Sequence, residues 1–232
     1  MKELSNYPKM LCPFIRKTYK INRDDWIKYG KELQLRSPEV YLVTPEVTPG
    51  YEWVIDDPNT FAVEKLDGTN VKLLTENGKL VSLYNRTNQI DPLNLFQAKG
   101  KLAIIEGVFR AISKSYIQRD GEQAGEVVGN KIQQNIYGLN YNIWYPFEKA
   151  IKHLRYKSFH QHDRTFENWS LWFKDYLFSL FSGKMGNKVM AEGIVFYNLK
   201  RMFEGRVYRA KLRRDMWVWA YNNKMEIYNY PY

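Results

Sequence analysis

A lysine becomes a nucleophile when its amine is exposed, uncharged and held against an electrophile. The segment Glu64-Lys65-Leu66-Asp67-Gly68-Thr69-Asn70 offers one such lysine, at a strand end and followed by an acid and a glycine. A free lysine titrates at about 10.4, so at neutral pH roughly one molecule in a thousand carries a lone pair. Nearby cations and desolvation lower that value, each unit being worth about 1.4 kcal/mol. Cations of this kind stand far downstream, where Lys211 and Arg213 alternate with Ala210 and Leu212 and therefore share one strand face. That face suits phosphate groups, and a solvated basic face would show the same pattern. Glu126 and Glu192 each adjoin a glycine in a strand-like run. They are candidate ligands or ordinary strand carboxylates. The lysine segment also reads as a plain hairpin, with Asp67-Gly68 making the turn.

The elements that must position these residues are short. Asn22 to Leu35 predicts a helix capped by Asn22, with Asp24 and Asp25 in its first turn and Trp26, Tyr29 and Leu33 on one face. Phe61–Val63 and Val71–Leu74 read as strands on either side of Asp67-Gly68, and Asn77-Gly78 as a two-residue hairpin turn into Leu80–Tyr84. Leu102 to Ile117 predicts a helix with Ile105, Val108, Phe109 and Ile112 on one face. Strands resume at Gly125–Gly129 and Asn142–Phe147. Residues 149–182 read as mostly helical, with Phe166, Trp169, Trp172, Phe173 and Tyr176 as core. Ile194–Tyr197 and Arg206–Leu212 return to strand across a basic turn at Lys200–Gly205. Strands at both ends with helices between predict an antiparallel α+β protein.

Composition narrows the setting. The chain has 232 residues, enough for one domain with its own core, and shows no repeat or flexible linker. Cys12 is the single cysteine, so no internal disulfide or thiolate zinc cage can form. His153, His160 and His162 cluster without metal-ligand spacing and read as a solvated surface. No run is long and apolar enough for a membrane span or a signal peptide, which predicts a soluble protein of the cytoplasm or another reducing intracellular compartment. The net charge is +10, of which +7 lies between Lys184 and Arg214, and 16% of residues are aromatic. Basic residues interleaved with aromatic ones suit a polyanion with exposed bases.

The order of the segments is more specific than any one of them. After the lysine segment come Asn85-Arg86-Thr87-Asn88-Gln89-Ile90, Gly125-Glu126-Val127-Val128-Gly129, Pro146-Phe147-Glu148, Glu192-Gly193-Ile194-Val195 and Lys211-Leu212-Arg213. This series resembles the covalent nucleotidyltransferase superfamily of polynucleotide ligases and mRNA capping enzymes, and covers residues 61 to 214. Gly68-Thr69-Asn70 and the run from Gly125 through Asn130-Lys131-Ile132-Gln133 are similar to the RNA ligase branch. Two positions depart from the family pattern. Asn88 stands where glycine is common, and Arg213 replaces the second lysine of Lys-x-Lys, putting a rigid fork in place of a compact ammonium.

The resemblance implies a single nucleotidyltransferase (ligase adenylation) domain over residues 1–232, with a motif-bearing core at 61–214 and an aromatic tail at 215–232. It implies ATP and Mg²⁺ (or Mn²⁺), with Lys65, Asp67 and Lys211 as catalytic residues. Glu64, Lys65, Leu66, Asn70, Arg86, Glu126, Phe147, Lys211 and Arg213 would bind the nucleotide. Within that set, Arg86 and Glu126 would hold the ribose and Phe147 would stack on adenine, or serve as core. Glu192 would hold the metal, and Asp67 would either orient the lysine or meet the metal.

The implied activity is an ATP-dependent RNA ligase joining 5′-phosphate and 3′-hydroxyl ends of single-stranded or nicked RNA. The eighteen residues after Arg214 are too few for an OB-fold, which weighs against capping enzymes and most DNA ligases. RNA recognition would then fall to the turn Lys200–Arg206, to the basic region from Lys152 to Lys188, or to a partner protein. A minimal DNA ligase core and a non-catalytic RNA-binding protein are the rival readings.

Overall fold

In the computed structural model, which describes residues 9–94, 100–117, 119–161, 163–202 and 208–231, the chain is an α+β protein with antiparallel sheets. Its first elements are β1 (Phe14–Lys20), α1 (Arg23–Tyr29), β2 (Glu39–Val47), α2 (Trp53–Asp56) and β3 (Phe61–Lys65). There follow β4 (Thr69–Glu76), β5 (Lys79–Asn85), β6 (Asn88–Gln89), α3 (Leu102–Ser113), β7 (Gly121–Gly129), β8 (Asn142–Pro146) and α4 (Phe147–His153). The chain ends with α5 (Phe166–Leu171), a π-helical turn (Trp172–Tyr176), α6 (Leu180–Gly183), β9 (Gly193–Tyr197), α7 (Leu199–Met202) and β10 (Arg209–Arg213). Among the described residues no helix is long and apolar enough to cross a membrane.

Two compact units divide these elements. The five-stranded unit consists mainly of Leu66–Arg155 and Leu180–Val189. Its sheet has the order β6-β5-β4-β7-β8. Asn77 and Gly78 join β4 to β5 with φ of 52° and 72°, the left-handed pair that a two-residue hairpin turn requires. The Asp120 carboxylate accepts from both of their amides. One sheet face, carrying Val71, Leu73, Leu83, Val127 and Trp144, packs with Ile104, Val108 and Ala111 of α3.

The helix differs from the sequence reading in length and in face. It stops at Ser113, and Phe109 and Ile112 are exposed rather than buried. The cause is Gly107, where a Cβ would lie 2.7 Å from Val127. The helix approaches the sheet along that narrow side, which turns the bulkier residues outward.

The three-stranded unit consists of Met10–Lys65, Tyr156–Ser179 and Met190–Tyr232. It holds the sheet β10-β9-β3 and the β1-β2 ribbon, which the sequence reading did not anticipate. Its core is aromatic. Phe14 meets Phe166, Trp169 and Trp217 edge-on, and Trp169 stacks on Phe196. Trp169, Trp172 and Phe173 are buried as expected, whereas Tyr176 is exposed. Helix α1 is capped by Asn22 as expected, but ends at Tyr29. Beyond it the chain runs in turns, and a left-handed Gln34 (φ 54°) ends the pattern before Leu35.

A further correction bears on the site. β3 pairs with β9, and β4 pairs with β5 and β7, so Asp67-Gly68 does not close a hairpin between β3 and β4. Lys200 begins no turn but lies in α7. Most of the expected basic turn, with Arg206 and His162, falls outside the described residues.

Candidate active site

In the three-stranded unit the middle strand β9 sets the geometry. Lys65 of β3 and Arg213 of β10 are both in register with Gly193, and Val63 and Lys211 are both in register with Val195. Directly opposed residues share a sheet face, so Lys65, Lys211 and Arg213 project to one side. At Gly193 a Cβ would lie 2.2 Å from the Leu212 carbonyl oxygen and 2.8 Å from the Arg213 Cα. A glycine is required there by close approach.

Lys65 Nζ donates to Glu192 Oε2 at 2.5 Å, with the two side chains 19% and 23% exposed. A pair this sheltered is screened less than the surface pairs elsewhere in the chain. Half-buried Lys211 is pushed below the usual lysine range by desolvation, then by Lys65, Arg213 and Arg16, with Glu192 pulling the other way. The β10 edge is anchored where the Lys211 amide donates to the Leu11 carbonyl at 2.9 Å. Next to that anchor, burial pushes the Cys12 thiol up to about 11, against the pull of Arg16, Lys211 and Arg213. Such a thiol is inert at neutral pH.

The opposite face of β3 carries Glu64, buried, whose carboxylate accepts from Ser179 Oγ at 2.6 Å. Burial, and then Glu64, push the Tyr156 phenol well above its ordinary range, and its hydroxyl donates to the Phe178 carbonyl at 3.0 Å.

In the five-stranded unit Asn70, Glu126 and Tyr145 stand in register across β4, β7 and β8 and share the sheet face away from α3. Lys72, two residues on from Asn70, projects from the same face and is buried. The Gly68 backbone runs so close to β7 that a Cβ would lie 2.3 Å from the Val127 carbonyl oxygen and 2.6 Å from Glu126 Cγ. Close packing explains this glycine, since its φ is not positive. The Asp67 amide donates to the Tyr137 hydroxyl at 2.8 Å, and Leu66 is buried. Arg86 is exposed in the β5–β6 turn with φ 56°, and its amide donates to the Asn70 carbonyl at 3.4 Å. Half-buried Phe147 opens α4, two residues past Tyr145.

The sequence-predicted residues thus fall into two groups. Glu64, Lys65, Glu192, Lys211 and Arg213 lie in the three-stranded unit, where all but the Glu64 side chain gather on or beside one face. Leu66, Asp67, Asn70, Arg86, Glu126 and Phe147 lie in the five-stranded unit, where Asn70 adjoins both Glu126 and Arg86. Sequence reasoning missed Ser179, Tyr137 and Lys72. Only Lys72 carried a local signal, its two-residue offset from Asn70 along a strand.

Among the described residues no group of three or more His, Cys, Asp or Glu side chains could cage a metal. Mg²⁺ keeps several waters and is bound by one or two carboxylates together with substrate phosphates. Arg213 also pairs with Asp215 at 2.9 Å, so two carboxylates, Glu192 and Asp215, meet the three cations, a set that fits a metal–polyphosphate better than a metal alone.

No protein-family model matches the chain, and no curated protein matches it. Several solved structures are similar. A Naegleria gruberi RNA ligase with PPi is 18% identical over 71% of this chain and 52% of that one, with a TM-score of 0.38. A lysine-to-alanine mutant of that ligase with ATP and Mn is 18% identical over 66% and 49%, with a TM-score of 0.40. An apo aspartate-to-alanine mutant is 12% identical over 94% and 64%, with a TM-score of 0.43. The chain spans about half the length of the first two structures.

Proposed function

We propose that the chain is an ATP-dependent RNA ligase, with residues 1–232 acting as one nucleotidyltransferase domain. The observation that carries this reading is the shared face of Lys65, Lys211 and Arg213 across Gly193, with Glu192 against the lysine amine. A primary amine at a strand end, ringed by fixed positive charge, suits attack on a phosphorus whose leaving group is a polyanion.

Lys211 and Arg213 hold the polyphosphate of ATP and neutralise the charge that builds on the departing pyrophosphate. Lys65 attacks the α-phosphorus. A nitrogen–phosphorus bond forms, the bond to the β-phosphate oxygen breaks, and Glu192 Oε2 is the base at hand for the lysine proton. Mg²⁺ on Glu192 supplies further charge neutralisation when bound. Arg86 and Glu126 hold the ribose, Phe147 stacks on adenine, Asn70 orders the phosphate side, and Asp67 orients the segment. AMP then passes from Lys65 to the 5′-phosphate of an RNA end, and a 3′-hydroxyl displaces it.

Incubation with α-labelled ATP and Mg²⁺ should give an acid-labile, protein-bound label that Lys65→Ala abolishes. Absence of label with every nucleotide and metal tried would leave a binding protein instead. Sealing of nicks that carry only deoxyribose 3′-ends would point to a DNA ligase.

A further inference from the structure

Helix α4 places Lys149, Lys152 and His153 three and four positions apart, on one flank of the helix. Lys184, just after α6, adds a fourth basic group. Lys149 and His153 are both pushed below their ordinary ranges, by desolvation first and then by the crowding of Lys184 and Lys152. The acid of the same helix is turned to other use, since Glu148 pairs with Arg119 at 2.5 Å.

Lys17, Arg110, Arg201 and Lys224 each meet a carboxylate elsewhere on the chain. Lys149, Lys152, His153 and Lys184 form no ion pair among the described residues. The cluster is also built rather than loose. Lys149 Nζ sits 3.8 Å over the Tyr116 ring, and Tyr116 in turn meets Tyr145 edge-on. The cation–π contact fixes one ammonium in place.

We propose that Lys149, Lys152, His153 and Lys184 form a docking surface for the sugar–phosphate backbone of single-stranded RNA. The three lysine ammoniums, crowded and without an ion pair among the described residues, displace condensed counterions from an arriving polyanion, the main source of sequence-independent nucleic-acid affinity, while His153, held below its ordinary range, offers hydrogen bonds rather than charge. A membrane surface fits less well, because none of the large exposed apolar side chains belongs to α4 and an interfacial helix needs an apolar face. RNA as the polyanion rests on the proposed function; the existence of a phosphate-binding surface does not.

The test is fluorescence anisotropy with a labelled 5′-phosphorylated oligoribonucleotide over a salt series. The Lys149→Gln, Lys152→Gln, Lys184→Gln triple variant should bind about tenfold or more weakly, and its salt slope should fall by about 2, at about 0.7 for each phosphate that a lysine no longer neutralises. The corresponding triple arginine variant should keep both. ATP labelling of Lys65 should be unchanged in either variant. Wild-type affinity and slope in the glutamine variant would overturn the proposal, as would loss of binding in the arginine variant. So would binding to anionic phosphatidylserine vesicles that RNA fails to compete away. If the RNA result holds while no variant or wild type labels with ATP, the ligase reading fails and the surface stands.

Discussion

Lys65 and Arg213 oppose the same residue, Gly193, from the two outer strands of a three-stranded sheet, so no middle-strand side chain stands between them. At normal strand spacing their backbones lie about 10 Å apart, room for a phosphate group between two cationic side chains. Gly193→Ala should fail twice over. The added Cβ meets the Leu212 carbonyl at 2.2 Å, which must push β10 away, and it fills the gap itself. The expected outcome is a lower melting temperature and a labelling rate down by about tenfold or more. Val195→Ala, on the same face beside Lys211, should cost stability while labelling falls far less. Equal labelling loss in both would show that the gap has no role.

In the proposed ligase, Lys211 ties function to stability. Its folded-state value lies below the ordinary lysine value of 10.5, with desolvation the first cause. The unfolded chain therefore holds this proton to higher pH than the folded one, and stability rises with pH between the two values. Lys211→Met removes both the penalty and that rise. The variant should melt higher than wild type at neutral pH, with the advantage shrinking as pH approaches 10.5. ATP labelling should be severely reduced in the same variant. Melting curves over a pH series, taken as differences, check the sign, and an advantage that grows with pH would contradict it.

Asp57 gives the opposite dependence. Its carboxylate is held down to about 2, first by the Asn59 amide and also by the Asn59 side chain and Arg201. The unfolded value is 3.8, so the stabilisation is complete above about pH 4 and disappears as pH falls towards 2. Asp57→Asn should lower the urea midpoint at neutral pH, and the deficit should close across that acid window. Since Asp57 lies in the loop before β3, ATP labelling at neutral pH should change little.

What the sequence made legible follows the range of each interaction. Lys211 and Arg213 share a face because strand alternation is local, and Asn77-Gly78 forms its turn because two left-handed residues suffice. The meeting of Lys65 with Glu192, 127 positions away, was reachable only through the order of motifs along the chain. Asp67-Gly68 looked like a hairpin turn because both flanking runs were strands, yet the partner of β3 is β9. Gly68 and Gly193 are glycines because of close approach to Val127 and Leu212, distant or non-sequential neighbours that composition cannot reveal. The face of α3 was misjudged for the same reason. Of the four residues read as one face, Ile105 and Val108 do pack on the core, but Phe109 and Ile112 turn outward because the small Gly107 sets which side meets the sheet.

Glu64 and Ser179 test whether the back of β3 supports the lysine at its front. Glu64 is 2% exposed, precedes Lys65, and accepts from Ser179 Oγ at 2.6 Å across 115 positions. Ser179→Ala takes one donor from a buried carboxylate, a loss of about 1–3 kcal/mol in unfolding free energy. Glu64→Gln keeps a hydrogen-bond acceptor and removes the buried charge. The double variant should therefore lose less than the sum of the two single losses, because the carboxylate that needed the serine is gone. Denaturant unfolding of the four proteins measures the coupling. Strictly additive losses would mean that the serine stabilises the fold independently of Glu64. Labelling adds the functional half. If β3 is held in place from behind, Ser179→Ala should slow label transfer to Lys65 without raising the ATP concentration needed for half-maximal rate, since Lys211 and Arg213 stand on β10 at the far edge of the sheet.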